Sequence, residues 1–179
     1  MQQQSGMTLI IVLIFMQIFT ILGLFAFEMN TLESRMVHNF WRHQQLQRSS
    51  INELRNVESI FFLALPSCTV PVMATRQLQN QSLTWWQSKA TCSSNSESVE
   101  FHYVVELLGE DSCAYLENPP QRVTADYYRI TFLGLSKRNK TRVYLQSIMA
   151  LPHLGGLISG CQDVGHRVTI GRQVWRELI

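Results

Sequence analysis

Charge is what the first part of this chain lacks. Residues 1–27 contain no Asp, Glu, Lys or Arg, and all 15 basic and 13 acidic residues of the 179 lie beyond them. Proline is absent before Pro66, and no glycine falls between Gly23 and Gly109. No CxxC pair occurs among the four cysteines. Each gap excludes something. The uneven charge excludes a uniformly disordered chain, and a single charge-free segment in a chain of this length excludes a polytopic membrane protein and a multidomain enzyme. A net charge of +2 is too small to make nucleic acid or an anionic surface the main partner. Missing CxxC spacing leaves zinc without its usual ligand pattern. No Ser/His/Asp spacing, glycine-rich phosphate loop or paired catalytic carboxylate stands out, so the sequence points to neither an enzyme nor a bound cofactor.

What fills the first gap is apolar. Residues 7–27, from Met7 to Phe27, include only Thr8, Gln17 and Thr20 as mildly polar side chains, with Gly23 between them. As a helix they span about 31 Å, the thickness of a bilayer core. A cleaved secretory signal fits poorly: the run is too long, no basic residues precede it, and no small-x-small cleavage site follows. A plain single-span anchor fits the hydropathy, but orientation is not set by charge, because no charged side chain precedes the span.

Beyond Glu28 the helical period persists without a stop. Met29, Leu32, Met36 and Phe40, then Leu46, Ile51, Leu54, Val57, Phe61 and Leu65 recur at helical spacings, with polar residues between. The economical reading is one helix over residues 7–65, stopped by Pro66 and weakened, or kinked, at Ser49-Ser50. Gln17 reads as helix–helix glue within the span.

The remainder, 66–179, reads as a β-rich head. A loop-rich stretch covers 67–98 and holds Trp85-Trp86, for which one buried and one exposed indole is expected. Val99–Leu108 is aromatic and β-branched, a strand ended by Gly109-Glu110-Asp111, and Ala114–Leu116 is a short candidate strand. Tyr127–Leu133 and Thr141–Met149 flank the polar Ser136–Lys140 and predict an antiparallel hairpin. Residues 152–179 read as loop with one or two edge strands around Arg167–Ile170 and Gln173–Trp175. Such a sheet has one apolar face to bury, and the helix face over 51–65 is the expected lid. Lys137, Arg138, Lys140 and Arg142 read as a solvated hairpin tip rather than a DNA-binding patch, since no aromatic stacking platform adjoins them. His102, mid-strand, reads as packed or solvated rather than catalytic. The cysteines, in an extracytoplasmic head, are disulfide candidates with three possible connectivities. The favoured one joins Cys68 to Cys92, closing the loop after the helix, and Cys113 to Cys161, tying the tail to the sheet.

Several stretches together resemble a known family. Gln4-Ser5-Gly6-Met7-Thr8-Leu9-Ile10 is similar to a class III prepilin junction, a glycine followed by an uninterrupted apolar helix. Leu22-Gly23-Leu24 and Thr31-Leu32-Glu33-Ser34-Arg35-Met36 resemble the N-terminal region of the PilX family of minor type IV pilins. Tyr103-Val104-Val105-Glu106, Tyr128-Arg129-Ile130-Thr131 and Val143-Tyr144-Leu145-Gln146-Ser147 resemble that family's sheet. The likeness is strong over residues 4–60, moderate over 99–149 and absent from the last 28 residues.

The resemblance implies an α+β, lollipop-shaped pilin fold: a leader 1–6, a membrane or pilus-core half-helix 7–27, an amphipathic half-helix 28–65 and a disulfide-bonded head 66–179. It implies cleavage by prepilin peptidase between Gly6 and Met7, methylation of the new amine, residence in the inner membrane with a periplasmic head, and then assembly into a pilus. Partners implied are other minor pilins, the major pilin and a PilY-type tip adhesin; no nucleic acid and no metal or other cofactor is expected. The leader lacks the Lys or Arg usual in pilins, and Met7 stands where Phe is usual. Ile11 stands at the fifth position after the junction, where major pilins place a Glu. A carboxylate inside a bilayer is costly and is kept only for use; in pilins its use is to pair with a neighbour's terminal amine. A subunit with Ile11 lacks that pairing group while still offering its own amine, which suits the tip or start of a fibre. The K-type pseudopilin of type II secretion shares the missing Glu, but 67–179 leaves little room for its inserted helical domain. The reading from another class is a bitopic periplasmic binding or sensor protein anchored by the same helix.

Overall fold

A computed structural model describes residues 5–61, 67–88, 91–116, 123–153 and 165–178. The chain divides into two compact units, Met1–Gln44 and Gln45–Ile179. The helix α1, Ser5–Phe61, contributes to both. Its 57 residues rise about 86 Å at 1.5 Å each. Absence of proline and the helical period account for its length. It runs without interruption through Ser49-Ser50. The helix was expected to reach residue 65; its described end is Phe61, and 62–66 fall outside the described residues.

In the second unit the sheet is mixed but mainly antiparallel, in the order β1-β3-β4-β5-β7, with β2 and β6 also paired to β3. The strands are β1 (Thr69–Val70), β2 (Cys92–Asn95), β3 (Val99–Leu116), β4 (Val123–Ser136), β5 (Arg142–Pro152), β6 (His166–Val168) and β7 (Gly171–Leu178). The β4–β5 hairpin around Ser136–Lys140 is as the alternating pattern predicts, with Phe132 opposite Leu145. β6 and β7 are the short tail strands.

Two expectations need correction. β3 does not stop at Gly109-Glu110-Asp111. It continues to Leu116 through a bulge that shifts its register against β4 between Leu107 and Gly109. Gly109 sits there at φ +147°, a conformation open to glycine and strained for other residues, so this glycine bends the strand instead of ending it. The stretch 67–98 is also more ordered in pattern than a loop. It holds β1, β2 and two short helices, α2 (Thr75–Gln79) and α3 (Leu83–Trp86), the latter capped by Ser82, whose side chain accepts from the Trp85 N–H.

Those short helices explain why the sheet buries both faces, not one. On one face lie Leu46, Leu54, Val57 and Phe61 of α1, against Phe101, Val105, Tyr128, Ile130, Phe132, Leu145 and Met149. Phe61 and Tyr128 meet edge-on with centroids 5.2 Å apart. Each such buried side chain contributes about 1.5–3 kcal/mol relative to exposure. On the other face Leu78 and Trp86 pack on Val104 and Leu133, with Trp85 and Tyr144 alongside. The alternation of β4 serves both cores, Ile130 and Phe132 on one side and Leu133 on the other.

Small residues let helix and sheet come close. Ser50 is fully buried on α1. A Cβ built on Gly134 of β4 would lie 2.1 Å from Ser50 Oγ. The Ser49-Ser50 stretch that weakens the apolar period is therefore where α1 comes against the β4 backbone.

Candidate functional site, an apolar helix surface

In the first unit, α1 is apolar on every side. Ile10, Ile11, Val12, Leu13, Ile14 and Phe15 are consecutive, and successive side chains point 100° apart, so these six cover the whole circumference. None is buried: their exposure runs from 45% at Ile11 to 61% at Ile10. Within this unit nothing shields them from solvent. A helix apolar all round belongs in lipid or among other helices. The segment is long and apolar enough to cross a membrane, with a mean hydropathy of 2.7. Thr20 Oγ1 donates to the Met16 carbonyl at 2.7 Å, which hides a polar group from an apolar surrounding. A Cβ at Gly23 would meet nothing within 4 Å, so among the described residues of this unit no contact requires a glycine there.

From Glu28 the surface changes character. Met29, Leu32, Met36, Val37, Phe40 and Trp41 remain exposed, at helical spacings, between Glu33, Arg35, His38 and Arg42. This is a stripe rather than a sleeve, suited to contact on one side.

The proposed junction falls inside the helix, since α1 begins at Ser5 and Gly6 and Met7 follow in its first turn. Met7 is 71% exposed. Ile11 lies one turn further on the same helix and presents only aliphatic surface. Residues 1–4 of the expected leader lie outside the described residues.

The other expected site residues belong to the second unit. Cys68 and Cys92 are disulfide-bonded, which removes two thiolates from any metal site. Cys113 is disulfide-bonded too, while Cys161, its expected partner, lies outside the described residues. Trp86 is fully buried; Trp85 is half-buried rather than exposed and meets Trp86 edge-on at 5.1 Å. His102 is buried, its Nε2 3.0 Å from Glu100 Oε1. At the hairpin tip Lys137, Arg138, Lys140 and Arg142 are all exposed, and Lys137 Nζ donates to the Ser96 carbonyl at 2.7 Å.

Three polar constellations were not foreseen. Glu106, fully buried on β3, takes Arg129 of β4 in a two-pronged pair, Nε to Oε2 and Nη2 to Oε1, each 2.7 Å. The same two groups hold the Met73 backbone: its N–H donates to Glu106 Oε1 at 2.8 Å and its carbonyl accepts from Arg129 Nη2. This clamp ties the segment before α2 onto the sheet and leaves neither buried charge unpaired. Glu58 of α1 binds Arg172 of β7, joining the helix to the sheet's last strand. His153 lies between Glu110 and Asp126. Strand register brings the strand partners together, and packing of α1 on the sheet brings Glu58 to Arg172; neither is visible before the strands are paired.

Set against protein-family models, curated proteins and solved structures, the chain matches none.

Proposed function

We propose that this protein is a minor pilin of the PilX type, a non-enzymatic subunit that primes type IV pilus assembly. The observation that carries the reading is the 21-residue charge-free stretch of α1, apolar around its whole circumference and bare of contacts within its own unit, directly after a Gly6-Met7 junction. Such a surface is stable first in a bilayer and later in a bundle of like helices. A long N-terminal helix and a mainly antiparallel sheet are the elements such subunits are built from.

In this reading prepilin peptidase cleaves between Gly6 and Met7, and the Met7 amine becomes the methylated N-terminus. The protein waits in the bacterial inner membrane with its head in the periplasm. Ile11 offers no carboxylate to a neighbour's amine, while the Met7 amine remains free to pair with the Glu of a following subunit. That one-sidedness suits a position at or near the tip, beside other minor pilins and a PilY-type adhesin, with the major pilin following.

The test is expression with and without prepilin peptidase, reading the N-terminus by mass spectrometry and counting pili. The reading expects a methylated Met7 start only when the peptidase is present, and fewer pili when the protein is missing. An intact Met1 in both strains, with normal piliation, supports instead a periplasmic binding or sensor protein anchored by α1.

A further inference from the structure

The bulge at Gly109 separates β3 into a long inner part and a distal arm. Just beyond it, Glu110 of β3 stands directly opposite Asp126 of β4. Two carboxylates facing each other across a strand pair repel. Between them is one imidazole. His153, immediately after β5, has Nδ1 2.9 Å from Asp126 Oδ2 and Nε2 3.9 Å from Glu110 Oε2. Its position is fixed by its own backbone, whose N–H donates to the Thr124 carbonyl at 2.9 Å. Thr124 Oγ1 in turn donates to Glu110 Oε1 at 3.0 Å.

We propose that His153 is a proton-operated clasp, which holds the distal arm of β3 against β4 when the imidazolium lies between Glu110 and Asp126 and loosens that arm when the proton leaves. With the proton the three groups sum to a single negative charge; without it, two carboxylates oppose each other with no cation between them. The arm that gains or loses support carries Asp111, Cys113 and Ala114, and β6 pairs along its end, Ala114 opposite His166. Gly109 is the natural hinge.

The electrostatics agree in direction. The hydrogen bond to Asp126 raises the His153 pKa above 6.5, with the charges of Asp126 and Glu110 adding and partial desolvation opposing. A group with a raised folded pKa contributes stability that is complete below its unfolded value and is lost as pH rises through the folded value. The clasp is thus closed below the ordinary imidazole range and opens as pH rises through the raised His153 value. Other titratable groups lie nearby among the described residues. Asp111 points to His166, 3.3 Å away, in a separate pair. The Tyr127 and Tyr128 hydroxyls have pKa values raised by burial first and by Asp111 and Asp126 second, and so stay neutral in this range.

The experiment uses the full chain in detergent micelles, with chelator present so that the proton is the one small cation offered. Hydrogen exchange of the 109–116 and 123–126 amides is followed from about pH 5.5 to about pH 8 and corrected for the intrinsic rate. A several-fold loss of protection is expected across that range, confined to these amides and centred on the His153 titration read by imidazole NMR. His153→Gln should abolish the pH dependence, Asp126→Asn should lower the midpoint, and Glu110→Gln should preserve protection at high pH. The proposal is overturned if protection is flat with pH, if its pH dependence survives His153→Gln, or if it disappears in His166→Gln instead.

Discussion

Leu13 and Leu54 lie on one helix and have opposite surroundings. Leu54 is 1% exposed, packed between α1 and the sheet, while Leu13 is 54% exposed with neighbours of its own kind on every side. Around Leu54 the apolar residues form a stripe, Glu58 and Gln47 have specific partners in Arg172 and Glu177, and Ser50 fills the space that a Cβ on Gly134 would need. Around Leu13 no side chain has a charge or an assigned mate. The first surface is matched to one sheet and is finished when the unit folds. The second has no partner among the described residues of its own unit, and it is long and apolar enough to cross a membrane. One continuous helix thus carries a solved packing problem and an open one.

The comparison is broken most strongly inside the second unit. Arg129→Ala leaves Glu106 buried without its cation and frees the Met73 backbone, and should cost about 3–5 kcal/mol, read by chemical denaturation of the full chain in micelles. The sheet signal should melt earlier while the helical signal of the first unit is unchanged. Next, Leu54→Ala should cost about 2–5 kcal/mol in the same assay, through lost burial and a cavity, whereas Leu13→Ala should leave the midpoint in place.

The reverse substitution sharpens the contrast. Ile14→Lys places a charge in the middle of the apolar span and should oppose membrane insertion by about 2.5–3.5 kcal/mol, scored by the fraction resisting carbonate extraction, with no loss of head stability. The smallest effect is expected from the two glycines. Gly134→Ala drives a methyl into Ser50 and should destabilise by about 1–3 kcal/mol, and a Ser50→Gly second change should recover part of it, a coupling that a double-mutant cycle measures. Gly23→Ala meets no atom among the described residues of its unit, so its effect on the isolated protein should be at most the small helix-favouring gain of alanine over glycine.

How much of this was legible in the sequence depends on whether the signal is local. Composition reveals the span, because lack of charge over residues 1–27 needs no partner to be seen. Periodicity reveals α1, and alternation around Ser136–Lys140 reveals the β4–β5 hairpin. The Cys68–Cys92 bond follows from cysteines flanking one loop, one of three connectivities the sequence left open. Signals that depend on pairing were hidden. Glu106 and Arg129 look like ordinary exposed strand residues until register sets them opposite each other. Gly109-Glu110-Asp111 has the composition of a turn, yet the bulge lets β3 absorb it. The second apolar face was missed because Leu78 and Trp86 stand on helices too short to show a period. The His153 clasp draws single residues from three separate strands or strand ends, which no spacing rule detects.

The central claim is that the charge-free half of α1 ends among other helices. It is tested most directly by placing a photo-activated cross-linking residue at Phe15 and irradiating both membranes and sheared surface fibres. The account predicts protein cross-links to pilin helices in the fibre fraction, from a chain that begins at Met7. Cross-links to lipid alone, in membranes alone, from a chain that still begins at Met1, would contradict it.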